Sequence, residues 1–215
     1  MKRDLGQFSL VIVGRWNAAI LSPAWLAKEV FGEAEMGIMF PVLGWGPPVF
    51  RVADINIAVT DSTLTFAPRK DTDDVLTRIE NAGRHILRTL PHTPIMAFGE
   101  NYHYIVGDPP PEITNVLNNE DTSRLAQQGA IAETVLIRSM RLPACQLNLK
   151  IAFGQPCHID LNYHYAPTAP LGAAEAMEKA MENTFVKNRD HGIELLKTVY
   201  KLTLDEDIIH DNKSE

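Results

Sequence analysis

The stretch "CQLNLKIAFGQPCHIDLNYHY", residues 145–165, alternates apolar and polar side chains on both sides of a short link containing glycine and proline. In the first run Cys145, Leu147, Leu149, Ile151 and Phe153 share one face, and Gln146, Asn148 and Lys150 share the other. In the second run Cys157, Ile159, Leu161, Tyr163 and Tyr165 oppose His158, Asp160, Asn162 and His164. Successive strand residues point to opposite sides of a sheet, so this alternation marks strands with one buried and one wetter face. The link then predicts an antiparallel hairpin.

The same pattern recurs upstream. Residues 54–60 and 63–68, "DINIAVT" and "TLTFAP", read as a second hairpin around Asp61 and Ser62, and residues 95–106 as a long strand aligning Met96, Phe98, Tyr102, Tyr104 and Val106. Residues 8–13, 37–43 and 135–142 are further strand candidates. Helix signals lie between them. Residues 22–32 carry Ser22 as N-cap, Pro23 at the first helical position and Gly32 as terminator. Residues 71–91 place Val75, Leu76, Ile79, Ala82, Ile86, Leu87 and Leu90 on one stripe that ends at Pro91. A short helix is expected near 111–119, and a long one from Gly172 to about Lys201, interrupted near 188–192. These elements predict an α+β fold: a curved, mostly antiparallel sheet of about seven strands with helices packed on one face. The tetrapeptide Asn-Tyr-His-Tyr occurs at 101–104 and again at 162–165, which suggests a degenerate two-fold repeat with halves 1–106 and 130–203, although the order of elements differs between them. Residues 1–203 read as a single domain and 204–215 as a weakly held acidic tail.

Composition narrows the function classes. With 215 residues, 45% hydrophobic and 22% charged, the chain is long and apolar enough to build a core. A formal net charge of −7 repels polyanions, so no nucleic acid is expected as a partner. Two cysteines without a CxxC spacing suggest neither a zinc ribbon nor a disulfide framework, which fits a cytoplasmic location. No window approaches the ~20 apolar residues that cross a bilayer, so no membrane partner is expected.

The polar sheet face offers the candidate ligand-binding residues Asn101, His103, His158, Asp160, Asn162 and His164. The plainer reading is a solvated sheet face, with the paired tyrosines capping the core and their hydroxyls near solvent. His158 and His164 are roughly 20 Å apart along one strand and cannot share a metal ion, whereas His103 and His164 could if their strands were neighbours. No third ligand is evident, so neither a metal nor a cofactor is assigned. GxSxG, Walker, GxGxxG and HExxH signatures are missing, and no catalytic residue is assigned. Cys157 and His158 point to opposite faces, so Cys157 reads as a small core residue. His85 and His191 read as surface or boundary positions. Trp45, held between glycines and before two prolines in "LGWGPPVF" (43–50), is an interface candidate or else folds back onto the sheet edge.

The segments "GRWNAAILSPAWL" (14–26) and "INIAVTDSTLTFAPRKDTDDVLTRIENAGRHILRTLPHTPIMAFGENYHY" (55–104), with the closing long helix, resemble a sporadically distributed family of uncharacterised bacterial cytoplasmic proteins. The resemblance implies a bacterial cytoplasmic protein and transfers no activity to any residue. The expectation is a non-enzymatic binding or assembly protein that contacts a protein partner or its own copies. The alternative is a small-molecule-binding protein or hydrolytic enzyme using the His/Asn/Asp face.

Overall fold

The computed structural model describes residues 1–33, 35–41, 46–117, 120–129, 131, 133–168 and 172–205. The elements are β1 (Lys2–Arg3), β2 (Ser9–Gly14), α1 (Pro23–Trp25), β3 (Gly37–Met39), β4 (Val49–Val52), β5 (Ile55–Val59), β6 (Thr63–Pro68), α2 (Asp73–Thr89), β7 (Ile95–Val106), α3 (Pro111–Leu117), α4 (Glu120–Ala126), β8 (Thr134–Arg141), β9 (Gln146–Phe153), β10 (Cys157–Tyr165), α5 (Ala173–Ala180) and α6 (Phe185–Tyr200). Among the described residues they form one open antiparallel sheet of ten strands, in the order β3-β4-β5-β6-β2-β7-β10-β9-β8, with β1 beside the far end of β7. The class is the expected α+β; the count exceeds the expected number of about seven, and the two strands outside the eight segments read from the sequence are β1, only two residues long, and β4, a four-residue run following a Gly- and Pro-rich stretch.

Both predicted hairpins are present. β9 and β10 pair with Leu149 opposite Leu161, and β5 and β6 pair with Ile57 opposite Phe66. The alternation sorts as read: Leu147, Leu149, Ile151, Cys157, Ile159 and Leu161 are buried. Met96 departs from its expected alignment and is 55% exposed, next to an irregularity where β2 shifts register against β7 between Val13 and Gly14. The tyrosines depart too. Tyr102, Tyr104 and Tyr163 are fully buried, and the Tyr102 hydroxyl donates to the Phe185 carbonyl at 2.5 Å rather than reaching solvent.

Helices α2, α5 and α6 pack over the apolar face. Thr72 caps α2, and its hydroxyl accepts from the Val75 amide. Ser22 caps the first helical segment as expected, and Gly32 ends it at φ 66°, after the helix has widened into π-type turns over Leu26–Phe31. The long C-terminal helix is split, but at 181–184 rather than at 188–192. The Glu80 carboxylate on α2 accepts from the amides of Asn183, Thr184 and Phe185 at 2.7, 2.8 and 3.0 Å, so it supplies the acceptors that a new helix start requires. Asn183 turns the corner at φ 58°.

The halves do not form a two-fold repeat. Strands β7 and β10 lie side by side at the centre of one sheet, yet α2 precedes β7 while α5 and α6 follow β10. At the C-terminus, the Asp205 amide donates to the Met1 carbonyl at 2.9 Å and Leu204 packs on the core, so the expected tail is docked at its start; 206–215 fall outside the described residues. Among the described residues no helix is long and apolar enough to cross a membrane.

Candidate functional site

The polar sheet face carries a row of amide and hydroxyl side chains running across five strands. Antiparallel pairing sets Asn101 of β7 opposite Ser9 of β2 and opposite Asn162 of β10, Asn162 opposite Asn148 of β9, and Asn148 opposite Ser139 of β8. The row is hydrogen bonded in one direction. Ser139 Oγ donates to Asn148 Oδ1 at 2.7 Å, and Asn148 Nδ2 to Asn162 Oδ1 at 3.1 Å. Asn162 Nδ2 in turn donates to Asn101 Oδ1 at 2.8 Å, and Asn101 Nδ2 to Ser9 Oγ at 3.1 Å. Gln146 Nε2 also donates to Asn148 Oδ1, at 2.8 Å. Such chains polarise one another, so each link strengthens the next. Gly99 makes room for the row, since a Cβ there would come within 3.0 Å of Asn162 Nδ2.

Two residues along β7 from Asn101, a second chain runs across the same face. His103 Nδ1 lies 2.5 Å from Asp160 Oδ1, and His103 Nε2 lies 3.0 Å from His158 Nδ1. A carboxylate accepting from Nδ1–H leaves the His103 Nε2 lone pair to accept from His158 Nδ1–H, which directs the free lone pair of the pair to His158 Nε2. Lys150 Nζ stands 3.7 Å from Asp160 Oδ2. A shallow pocket of about 280 Å³ opens between the two chains, lined by Gln7, Ser9, Asn101, His103, Asp160 and Asn162. It exists because the chain leaves the sheet between β1 and β2: Leu5–Gln7 form a 3-10 turn, fixed by Asp4 Oδ1 accepting from the Gly6 amide at 3.2 Å.

Five of the six expected residues, Asn101, His103, His158, Asp160 and Asn162, are thus brought together. His164 is not. The two Asn-Tyr-His-Tyr copies lie on neighbouring strands but run in opposite directions from the facing Asn101 and Asn162, so His164 pairs with Gly99 while His103 pairs with Asp160. Four residue steps separate the histidines, about 13 Å, which rules out the shared metal ion that neighbouring strands would have permitted. Trp45 lies outside the described residues. His191, expected at a surface or boundary position, binds the Tyr163 hydroxyl through Nδ1 at 2.6 Å. Ser9, Gln7 and Ser139 were missed by the sequence reading; the signal for Ser9 is its polar side chain one residue before the run "LVIV", but which strands it faces is set by long-range register. Glu100 was missed as well: burial pushes its carboxyl up to about 7, against hydrogen bonds from Thr184 and Asn188 that act the other way.

Comparison of the chain with family models, with curated proteins and with solved structures found no match.

Proposed function

We propose that the protein is a non-catalytic binding or assembly protein that meets a protein partner, or a second copy of itself, across the polar sheet face and the β8 edge. The observation carrying this reading is the five-residue hydrogen-bonded row, which offers donors and acceptors over five strands with little net charge to desolvate. Beside it, Val135 and Ile137 of β8 are 39% and 67% exposed, and no described strand pairs with the outer side of β8. An eight-residue edge with no described strand beyond it, bearing exposed isoleucine and valine, invites strand addition. Nucleic acid fits the surface poorly. Arg84 and Arg88 of α2 are each ion-paired with Glu178, rather than joining Arg138 and Arg141 of β8 in a free basic stripe.

A photo-crosslinker placed at position 135 of β8 tests the reading in cells of the native host, with and without Ile137→Lys in the same chain, alongside sedimentation of the purified protein with and without that change. The expected result is a discrete adduct, to self or to one partner, that Ile137→Lys removes without lowering the melting temperature. Absence of both self-association and any discrete adduct would overturn it.

A second reading, small-molecule binding or hydrolysis, is favoured by the Asp160–His103–His158 chain and its pocket. It ranks lower because both ring nitrogens of His103 are engaged, and because Cys157, beside His158, is buried on the opposite face.

A further inference from the structure

Glu100 sits at the middle of β7, fully buried on the helix side, where it faces the start of α6. The charged or titratable groups around it are Glu80 on α2, Tyr102 on β7, Tyr163 and Tyr165 on β10, and Cys145 between β8 and β9; none of these is a cation. Thr184 and Asn188 reach it from α6.

A count of protons shows which form of Glu100 the geometry accommodates. Thr184 Oγ1 lies 2.5 Å from Glu100 Oε1 and 2.9 Å from the Met181 carbonyl oxygen, but the hydroxyl has one proton to give. If Glu100 were ionised, one of these contacts would set two acceptors against each other. With a proton on Oε1, the carboxylic acid donates to Thr184 Oγ1 and Thr184 donates to Met181, so both contacts are satisfied. The rest of the network agrees. Asn188 Nδ2 spends its two protons on Glu100 Oε2, at 2.6 Å, and on the Tyr165 hydroxyl, at 2.7 Å. The Tyr102 hydroxyl directs its proton to the Phe185 carbonyl at 2.5 Å, so its 3.4 Å approach to Oε2 does little to hold a charge there.

We propose that Glu100 is a proton-operated latch: protonated, it completes the hydrogen-bond chain that ties β7 to the first turn of α6, and deprotonated, it loosens that turn. This goes beyond the binding function proposed above and does not depend on it, since the latch lies on the opposite side of the sheet from the amide row.

Burial, reinforced by the charge of Glu80, holds the folded value at about 7 against an ordinary value of 4.5. The folded chain therefore keeps a proton that the unfolded chain releases, and stability falls as pH rises from the ordinary carboxyl range to about 7 and levels off above it. The test measures thermal unfolding from about pH 5 to 8 for the wild type and Glu100→Gln, whose amide can replace the O–H donor but cannot ionise. The variant is expected to lose the wild type's fall in melting temperature and to melt higher than the wild type above pH 7. Hydrogen exchange of amides 185–189, corrected for intrinsic rates, should lose about twentyfold protection between roughly pH 5.5 and 8 in the wild type only. Parallel pH curves for the two proteins would overturn the latch. If Glu100→Gln fails to fold, the carboxyl carbon of Glu100 in isotope-labelled wild type decides: a protonated signal at about pH 6 that titrates near 7 supports the latch, and a carboxylate signal at pH 6 overturns it.

Discussion

Gly192 of α6 lies directly over Leu161 of β10: a Cβ on Gly192 would stand 2.6 Å from Leu161 Cδ1. Leu161 is 1% exposed and locked in the core, so it has nowhere to retreat. Gly83 on α2 makes the milder approach, with Met181 Sδ, Leu10 Cδ2 and Ile12 Cδ1 at 3.1, 3.2 and 3.3 Å. Replacing a mid-helix glycine by alanine gains about 1 kcal/mol of helix propensity, against overpacking costs of about 1–3 kcal/mol. Gly192→Ala should therefore destabilise by about 1 kcal/mol or more, while Gly83→Ala should stay near neutral. Denaturant midpoints of the two variants check the contrast, and equal effects would show that α6 does not lie as close to β10 as described.

Glu80 ties α2 to the start of α6 through three backbone amides. Glu80→Ala leaves those donors without their acceptor and should cost about 2–3 kcal/mol, with Glu80→Gln costing less. Urea unfolding of both variants measures the order; a neutral Glu80→Ala would mean that water satisfies the turn.

Leu149, 2% exposed, contacts the core beneath β9. Truncation to alanine should cost about 2–5 kcal/mol. A change within 0.5 kcal/mol by chemical denaturation would show that the buried face of the hairpin is misassigned.

Asn162 holds two links of the amide row but is only half-buried. Water can replace its bonds in the isolated chain, so Asn162→Ala should cost at most about 1 kcal/mol of stability. The same change should weaken any adduct formed through that face much more, which a pull-down titration against wild type would read. Equal partner affinity in both would place the contact elsewhere.

The strands were legible wherever a local period of two was long enough to see, as in Leu147, Leu149 and Ile151, because burial on one face writes itself into consecutive residues. Glu100 shows what such reading skips. It shares the face of Phe98, Tyr102 and Tyr104, so its parity places an acid on the buried face, but the alignment of apolar residues does not single it out. The pairing of Asn101 with Asn162, rather than of His103 with His164, depended on strand direction and register, which no local pattern encodes. The break between α5 and α6 was hidden for a similar reason: its acceptor, Glu80, comes from 103 residues earlier in the chain. The tyrosine hydroxyls were misplaced because alternation gives a side chain's face but not how deeply the helices cover it.

The one-way row from Ser139 to Ser9 gives the sheet face a compass direction. Aligned amide dipoles add, so one side of the face ends in an acceptor-rich serine and glutamine and the other in a hydroxyl whose proton is free to point outward. A partner that recognises this row must dock with matching orientation, and turning it half a circle would set like ends together. Two copies stacked face to face obey the same rule: a two-fold axis along the strands lays their rows head to tail, one along the row lays them side by side in parallel, and electrostatics selects the first.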